Sequence, residues 1–137
     1  MRSLLALVVA LQLLSLAAVS AASQVALLSL SSFSVSSPGI GKSGPISVNG
    51  EATRTGITSL RVTAFSKDFV LDAEQLARLG NVSINGIQLN YEGGYRGHGG
   101  RAIYIVFSRG FLSGQVATVL LTIHEEGGVE ISQGRTQ

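Results

Sequence analysis

Residues 36–43 read SSPGIGKS, one residue short of the phosphate-binding pattern G-x-x-x-x-G-K-[ST], because Ser36 stands where the first glycine belongs. That pattern works when a strand feeds a glycine-rich turn and the turn opens directly into a helix whose N-terminal N–H groups wrap the phosphates. Here GPISVNGE follows Ser43, and its β-branched and turn-forming residues cannot continue a helix. No apolar strand ending in Asp supplies a metal partner, and no βαβ alternation supports a parallel sheet. The stretch reads as a connection between two strands, so no nucleotide is expected. The overlapping GKSGP lacks the Asp and one Gly of the serine-protease run G-D-S-G-G-P, and no G-x-S-x-G elbow occurs.

The segment richest in recognition chemistry is YEGGYRGHGGRAIYIVFSRGF, Tyr91 to Phe111. Five glycines fall between Gly93 and Gly100, interleaved with Tyr95, Arg96 and His98, and Arg101 closes the run. GHGGRA satisfies a relaxed dinucleotide pattern, yet the β-branched and aromatic IYIVF follows it, so no helix N-terminus meets a pyrophosphate. What remains is a long loop between strands. Its glycines let a partner approach the backbone. Arg96 and Arg101 can grip a carboxylate, sulfate or phosphate with two parallel N–H donors. Tyr95 supplies a flat face for a sugar ring or a protein side chain. Arg109, on SRGFLSG, joins them if the strand Ala102 to Phe107 is short. Gly93 to Phe111 holds three arginines and no acid, and is locally cationic. The candidate binding residues are therefore Tyr95, Arg96, His98, Arg101 and Arg109; the competing reading is a solvated connector.

Catalytic constellations are thin. His124 ends VATVLLTIH on the face of Leu120 and Thr122, followed by Glu125 and Glu126, and is expected at a solvated strand end. With His98 it makes at most a weak metal pair, since tight sites need three or four converging ligands. Asp68, Asp72, Glu74 and Glu92 show no spacing for paired-carboxylate work. The reading is non-catalytic, with no cofactor and no metal.

These residues must be positioned by a small body. Arg2, the apolar stretch Leu4–Val19 and small residues at Val19 and Ala21 form the three-part layout of a cleaved secretory leader, residues 1–21. The apolar run is shorter than the roughly 20 residues that cross a bilayer, although VALLSL resumes the hydrophobicity and leaves an uncleaved anchor as the alternative. Residues 22–137 then make one exported domain, periplasmic or secreted, with no transmembrane segment. Its nine basic and eight acidic side chains give no electrostatic case for nucleic acid. There is no cysteine to staple it.

Beyond the leader the pattern has period two. ISVNGEATR and VSINGIQLNY each place Asn-Gly between β-type residues, which predicts two type I′ hairpins. Further strands are expected at VALLSLSSFSV (with Leu28, Leu30 and Val35 inward), LRVTAF, AIYIVF, VATVLLTIH and, after a tight EEGG turn, VEIS. DAEQLARLG predicts one helix, about 72–79, with Asp72 as N-cap, Gln75 completing a capping box and Gly80 at its C′ end. The expected class is mainly β: an antiparallel sandwich or partly open barrel of seven or eight short strands. The expected function is binding, to an anionic envelope glycan or lipid head group or to a protein, with inhibition of an enzyme as one form. The alternatives are an enzyme using His98 or His124 and an envelope protein self-assembling through Ala102–Phe107 as an exposed edge.

Overall fold

A computed structural model describes residues 26, 28–39, 43–80, 83–93, 100–110 and 116–135. The proposed leader lies outside the described residues, as do Tyr95, Arg96 and His98. Eight strands are described: Ser32–Ser37 (β1), Ile46–Thr53 (β2), Gly56–Ala64 (β3), Lys67–Val70 (β4), Gly86–Gly93 (β5), Arg101–Gly110 (β6), Val116–His124 (β7) and Val129–Arg135 (β8). One helix, Ala73–Arg78 (α1), separates β4 from β5. The strands form two antiparallel four-stranded meanders, ordered β1-β2-β3-β4 and β5-β6-β7-β8. This is a β-sandwich, and α1 carries the chain from one sheet to the other.

Period-two alternation points one face of each sheet inward. Ile46, Val48, Leu60, Val62 and Ala64 from the first sheet share a single core with Ile103, Ile105, Phe107, Leu121 and Ile123 from the second. Each fully buried large side chain among them contributes about 1.5–3 kcal/mol through removal from water. The Leu30 amide donates to the Ile84 carbonyl at 2.8 Å, and the Phe33 and Phe107 rings lie 6.1 Å apart, so β1 stands on the β5–β6 side. At the opposite side Arg78 Nη2 on α1 donates to the Ile131 carbonyl of β8 at 3.5 Å. Leu71 and Leu79, which flank α1, are buried in the core, and Leu76 packs against it. The helix start follows the sequence reading. Asp72 Oδ1 accepts from the Gln75 amide at 2.8 Å, and Gln75 Oε1 accepts from the Asp72 amide at 3.0 Å.

The turns depart from expectation. Asn49–Gly50 is not a hairpin but lies inside β2, paired with Arg61 and Leu60. Its glycine is required by close approach: a Cβ there would sit 2.5 Å from Phe33 Cζ and 2.7 Å from the Ser59 carbonyl oxygen. Asn85–Gly86 is also not a turn. It opens β5, and Asn85 Oδ1 accepts from the Gly110 amide at 2.9 Å, closing the far end of β6.

The hairpin with two positive-φ residues is instead Phe65–Ser66, between the paired Ala64 and Lys67, with φ of 53° and 59°. Left-handed backbone costs a non-glycine residue roughly 1–2 kcal/mol. Burial of the Phe65 ring in the core offsets that at its own position.

Two further expectations change. Leu28 is 84 % exposed, because β1 starts only at Ser32; Leu30 does pack against the core. The stretch Ala102–Phe107 is no edge, since β6 is paired on both sides, by β5 and β7. The edge strands are β1, β4, β5 and β8.

Candidate functional site

Strand directions bring the described flanks of four connections to one end of the sandwich. They are residues 37–39 and 43–45 between β1 and β2, the Phe65–Ser66 turn, residues 93 and 100–101 between β5 and β6, and the turn from β7 to β8 (125–128). Arg101 is the first residue of β6, paired with Gly93, and so stands at the base of the glycine-rich segment.

Its guanidinium joins all four connections. Arg101 Nε donates to Glu125 Oε2 at 2.9 Å, and Nη2 donates to Glu125 Oε1. Nη1 donates to Ser43 Oγ at 2.9 Å, and that hydroxyl donates onward to Tyr91 Oη at 3.3 Å. The Glu125 carbonyl accepts from Lys67 Nζ at 2.7 Å, which brings in the hairpin of the other sheet. The Arg101 guanidinium also lies 5.7 Å from the centre of the Phe65 ring, within range of a cation–π contact.

The ion pair is partly open to water, with Arg101 32 % and Glu125 36 % exposed at the side chain. Two parallel N–H donors from Arg101 hold the Glu125 carboxyl below its ordinary range, partial desolvation opposing them and the Arg101 charge assisting. The same hydrogen bonds raise the guanidinium further above its ordinary value, so it is charged at every accessible pH. Chemically the arrangement is a charged clasp. It fixes both ends of the glycine-rich segment, at Tyr91 and Arg101, onto a rigid scaffold.

Of the sequence candidates, Arg101 is therefore placed at the centre of this end, with two faces of its fork engaged by Glu125 and Ser43. Arg109 is not brought to it. Both lie on β6, which runs from Arg101 to Gly110, so Arg109 stands eight residues, about 26 Å, toward the opposite end. Tyr95, Arg96 and His98 belong to the segment that starts beside Arg101, outside the described residues.

The two near-matches to nucleotide motifs open into strands, as the sequence reading requires: β2 begins at Ile46 after Ser43, and β6 begins at Arg101 itself. Ser43 is buried in the clasp. His124 is not a solvated strand end. It is 3 % exposed on the outward side of β7, with Nε2 3.3 Å from Glu130 Oε1 on β8. No group of three His, Cys, Asp or Glu suited to a metal ion occurs among the described residues.

Sequence reasoning missed Glu125, Ser43, Lys67 and Phe65 as members of one site. Charge counting over 93–111 found arginines without an acid, while the acid arrives from the turn after β7. No protein-family model, curated protein or solved structure matches this chain significantly.

Proposed function

We propose that this chain is an exported, non-catalytic binding domain whose clasped end presents the glycine-rich segment around Tyr95, Arg96 and His98 to an anionic envelope component or a protein partner. The observation that carries the reading is the Arg101 clasp. A guanidinium bonded to Glu125 and Ser43, with Lys67 and Tyr91 joined through them, fixes the base of a segment rich in glycine. Fixing the base reduces the ordering entropy that so many glycines would otherwise cost on binding. In this reading Arg101 positions the segment, and Arg96, Tyr95 and His98 make contact. Arg109, at the far end, has no part in it. Recognition residues carried on loops above a rigid sandwich follow the general division between scaffold and function.

The test is retention of the purified chain on an isolated bacterial envelope fraction. Tyr95→Ala with Arg96→Ala is expected to lose most retention at unchanged thermal stability. Undiminished retention by this variant would refute the reading. The enzyme alternative would use His98, outside the described residues, or His124, which is buried with Nε2 3.3 Å from Glu130 Oε1.

A further inference from the structure

The four sheet edges differ in how they are guarded. β4 is only four residues long and carries Lys67 and Asp68. β5 carries Glu92, and β8 carries Glu130 and Arg135. β1 runs for six residues, Ser32 to Ser37, with no charge, no proline and no register shift against β2. Natural sheets blunt their edges with charge, proline, bulges or shortness, because an open row of N–H and C=O groups is a template for another strand. β1 has none of these, and among the described residues it pairs only with β2.

We propose that β1 is a self-association edge, pairing antiparallel with β1 of a second copy about a two-fold axis at Ser34. Three features select this partner and this register. First, the Ala52 amide donates to the Ser31 carbonyl at 2.9 Å, which fixes the alternation along the strand: odd residues turn their backbone groups toward β2, even residues away from it. The donors and acceptors turned away from β2, open among the described residues, are those of Ser32, Ser34 and Ser36. A two-fold axis at Ser34 matches Ser34 with its own copy and Ser32 with Ser36 of the other, so all three find partners in both chains. Second, residues directly opposite share a face. The same register sets Phe33 opposite Val35 of the other copy on the inner side and serine opposite serine on the outer side. No apolar residue is turned to water. Third, an uncharged strand meets its own copy without placing like charges opposite one another.

On the inner side of this edge Phe33 on β1 and Ile87 and Leu89 on β5 are only partly buried, though packed against the core, as are Phe69 on β4 and Val129 and Ile131 on β8 at the other edges. The Phe33 ring meets Phe107, which pairs with Ile87, so these residues share one side of the sandwich. An added β1 strand would extend the sheet over that side. The product is a continuous eight-stranded sheet across two molecules, a closed isologous dimer. This inference is independent of the binding reading, since β1 and the clasp involve different residues.

The chain has no cysteine, so one introduced thiol reports on the register directly. Opposed residues in a hydrogen-bonded antiparallel pair have Cα atoms about 5.5 Å apart, within the range a disulfide spans. Ser34→Cys in the full chain is expected to form a covalent dimer under mild oxidation. It should do so roughly tenfold or more faster than Ser59→Cys, an exposed position on central β3, because the strand pair holds the thiols at high effective concentration. Ser34→Pro removes an outward N–H without touching the β2 ladder, and should abolish the Ser34-dependent dimer seen by sedimentation. If Ser34→Pro does not fold, Ser34→Lys, which opposes two like charges, replaces it. Cross-linking of Ser34→Cys no faster than Ser59→Cys overturns the proposal, as does a monomeric mass at every concentration or a dimer indifferent to Ser34→Pro and Ser34→Lys.

Discussion

Gly50→Ala tests the interior of the first sheet. Residue 50 lies in mid-β2, and the added methyl would stand 2.5 Å from Phe33 Cζ, 2.8 Å from Phe33 Cε2 and 2.7 Å from the Ser59 carbonyl oxygen. Comfortable carbon contacts are about 3.5–4.0 Å, so the methyl intrudes by roughly 1 Å on both sides. The ring can swing aside, at the expense of its contact with Phe107, but the Ser59 carbonyl belongs to the β3 backbone. Overpacking of this kind costs about 1–3 kcal/mol, and the backbone collision argues for the upper half, about 2–3 kcal/mol. Phe33→Ala alone should cost about 2 kcal/mol, less than a fully buried phenylalanine because the ring is only partly buried. In the double variant the ring collision has gone while the Ser59 collision persists. The two penalties should then sum to about 1 kcal/mol less than their separate values. Urea unfolding of the four proteins measures the cycle. A cost for Gly50→Ala below about 0.5 kcal/mol refutes the placement of Phe33 over β2. An equal cost with and without the ring would mean that the Ser59 carbonyl alone excludes a side chain at residue 50 and that the ring adds nothing.

Three further outcomes follow from individual contacts. Asp72→Ala removes the side chain that accepts from the Gln75 amide and should cost about 1 kcal/mol in urea unfolding, with Asp72→Asn retaining most of it. Ser66→Gly relieves a non-glycine residue at φ 59° and should stabilise the chain by roughly 0.5–1 kcal/mol, the left-handed penalty less the entropy glycine adds to the unfolded chain; an unchanged or lower melting temperature contradicts it. Because Arg101 holds the folded-state Glu125 carboxyl below its ordinary value near 4.5, its contribution is complete above that value and is lost as pH falls through it toward the depressed one. Glu125→Gln should therefore flatten the acid limb of the stability–pH curve, and a limb of undiminished slope would show that the clasp does not form.

The elements legible in the sequence were those specified locally. The capping box at Asp72 and Gln75 and the period-two runs of β3, β6, β7 and β8 carry their signals within a few residues, and each forms where expected. Turn chemistry misled for a physical reason. Asn-Gly signals a hairpin because both residues tolerate positive φ, but at residues 49–50 the glycine is selected by a ring crossing from β1. The true positive-φ pair, Phe65–Ser66, carries no turn signal, since core burial of Phe65 outweighs its backbone preference. The site was legible in the same partial way. Arg101 stood out as a cation beside glycines, whereas its bonds to Ser43 and Glu125 span 58 and 24 residues and depend on how two sheets align. Arg109 looked close to Arg101 only while β6 seemed to end at Phe107; the strand runs to Gly110 and carries Arg109 to the far end.

The central claim is that recognition belongs to the clasped end, and hydrogen exchange on the full chain, with and without the isolated envelope fraction, tests it most directly. Slower exchange is predicted for amides in 43–45, 65–67, 91–101 and 125–128, with 54–56 and 109–117 unchanged. Protection confined to the opposite end, or none anywhere on the chain, would contradict the claim.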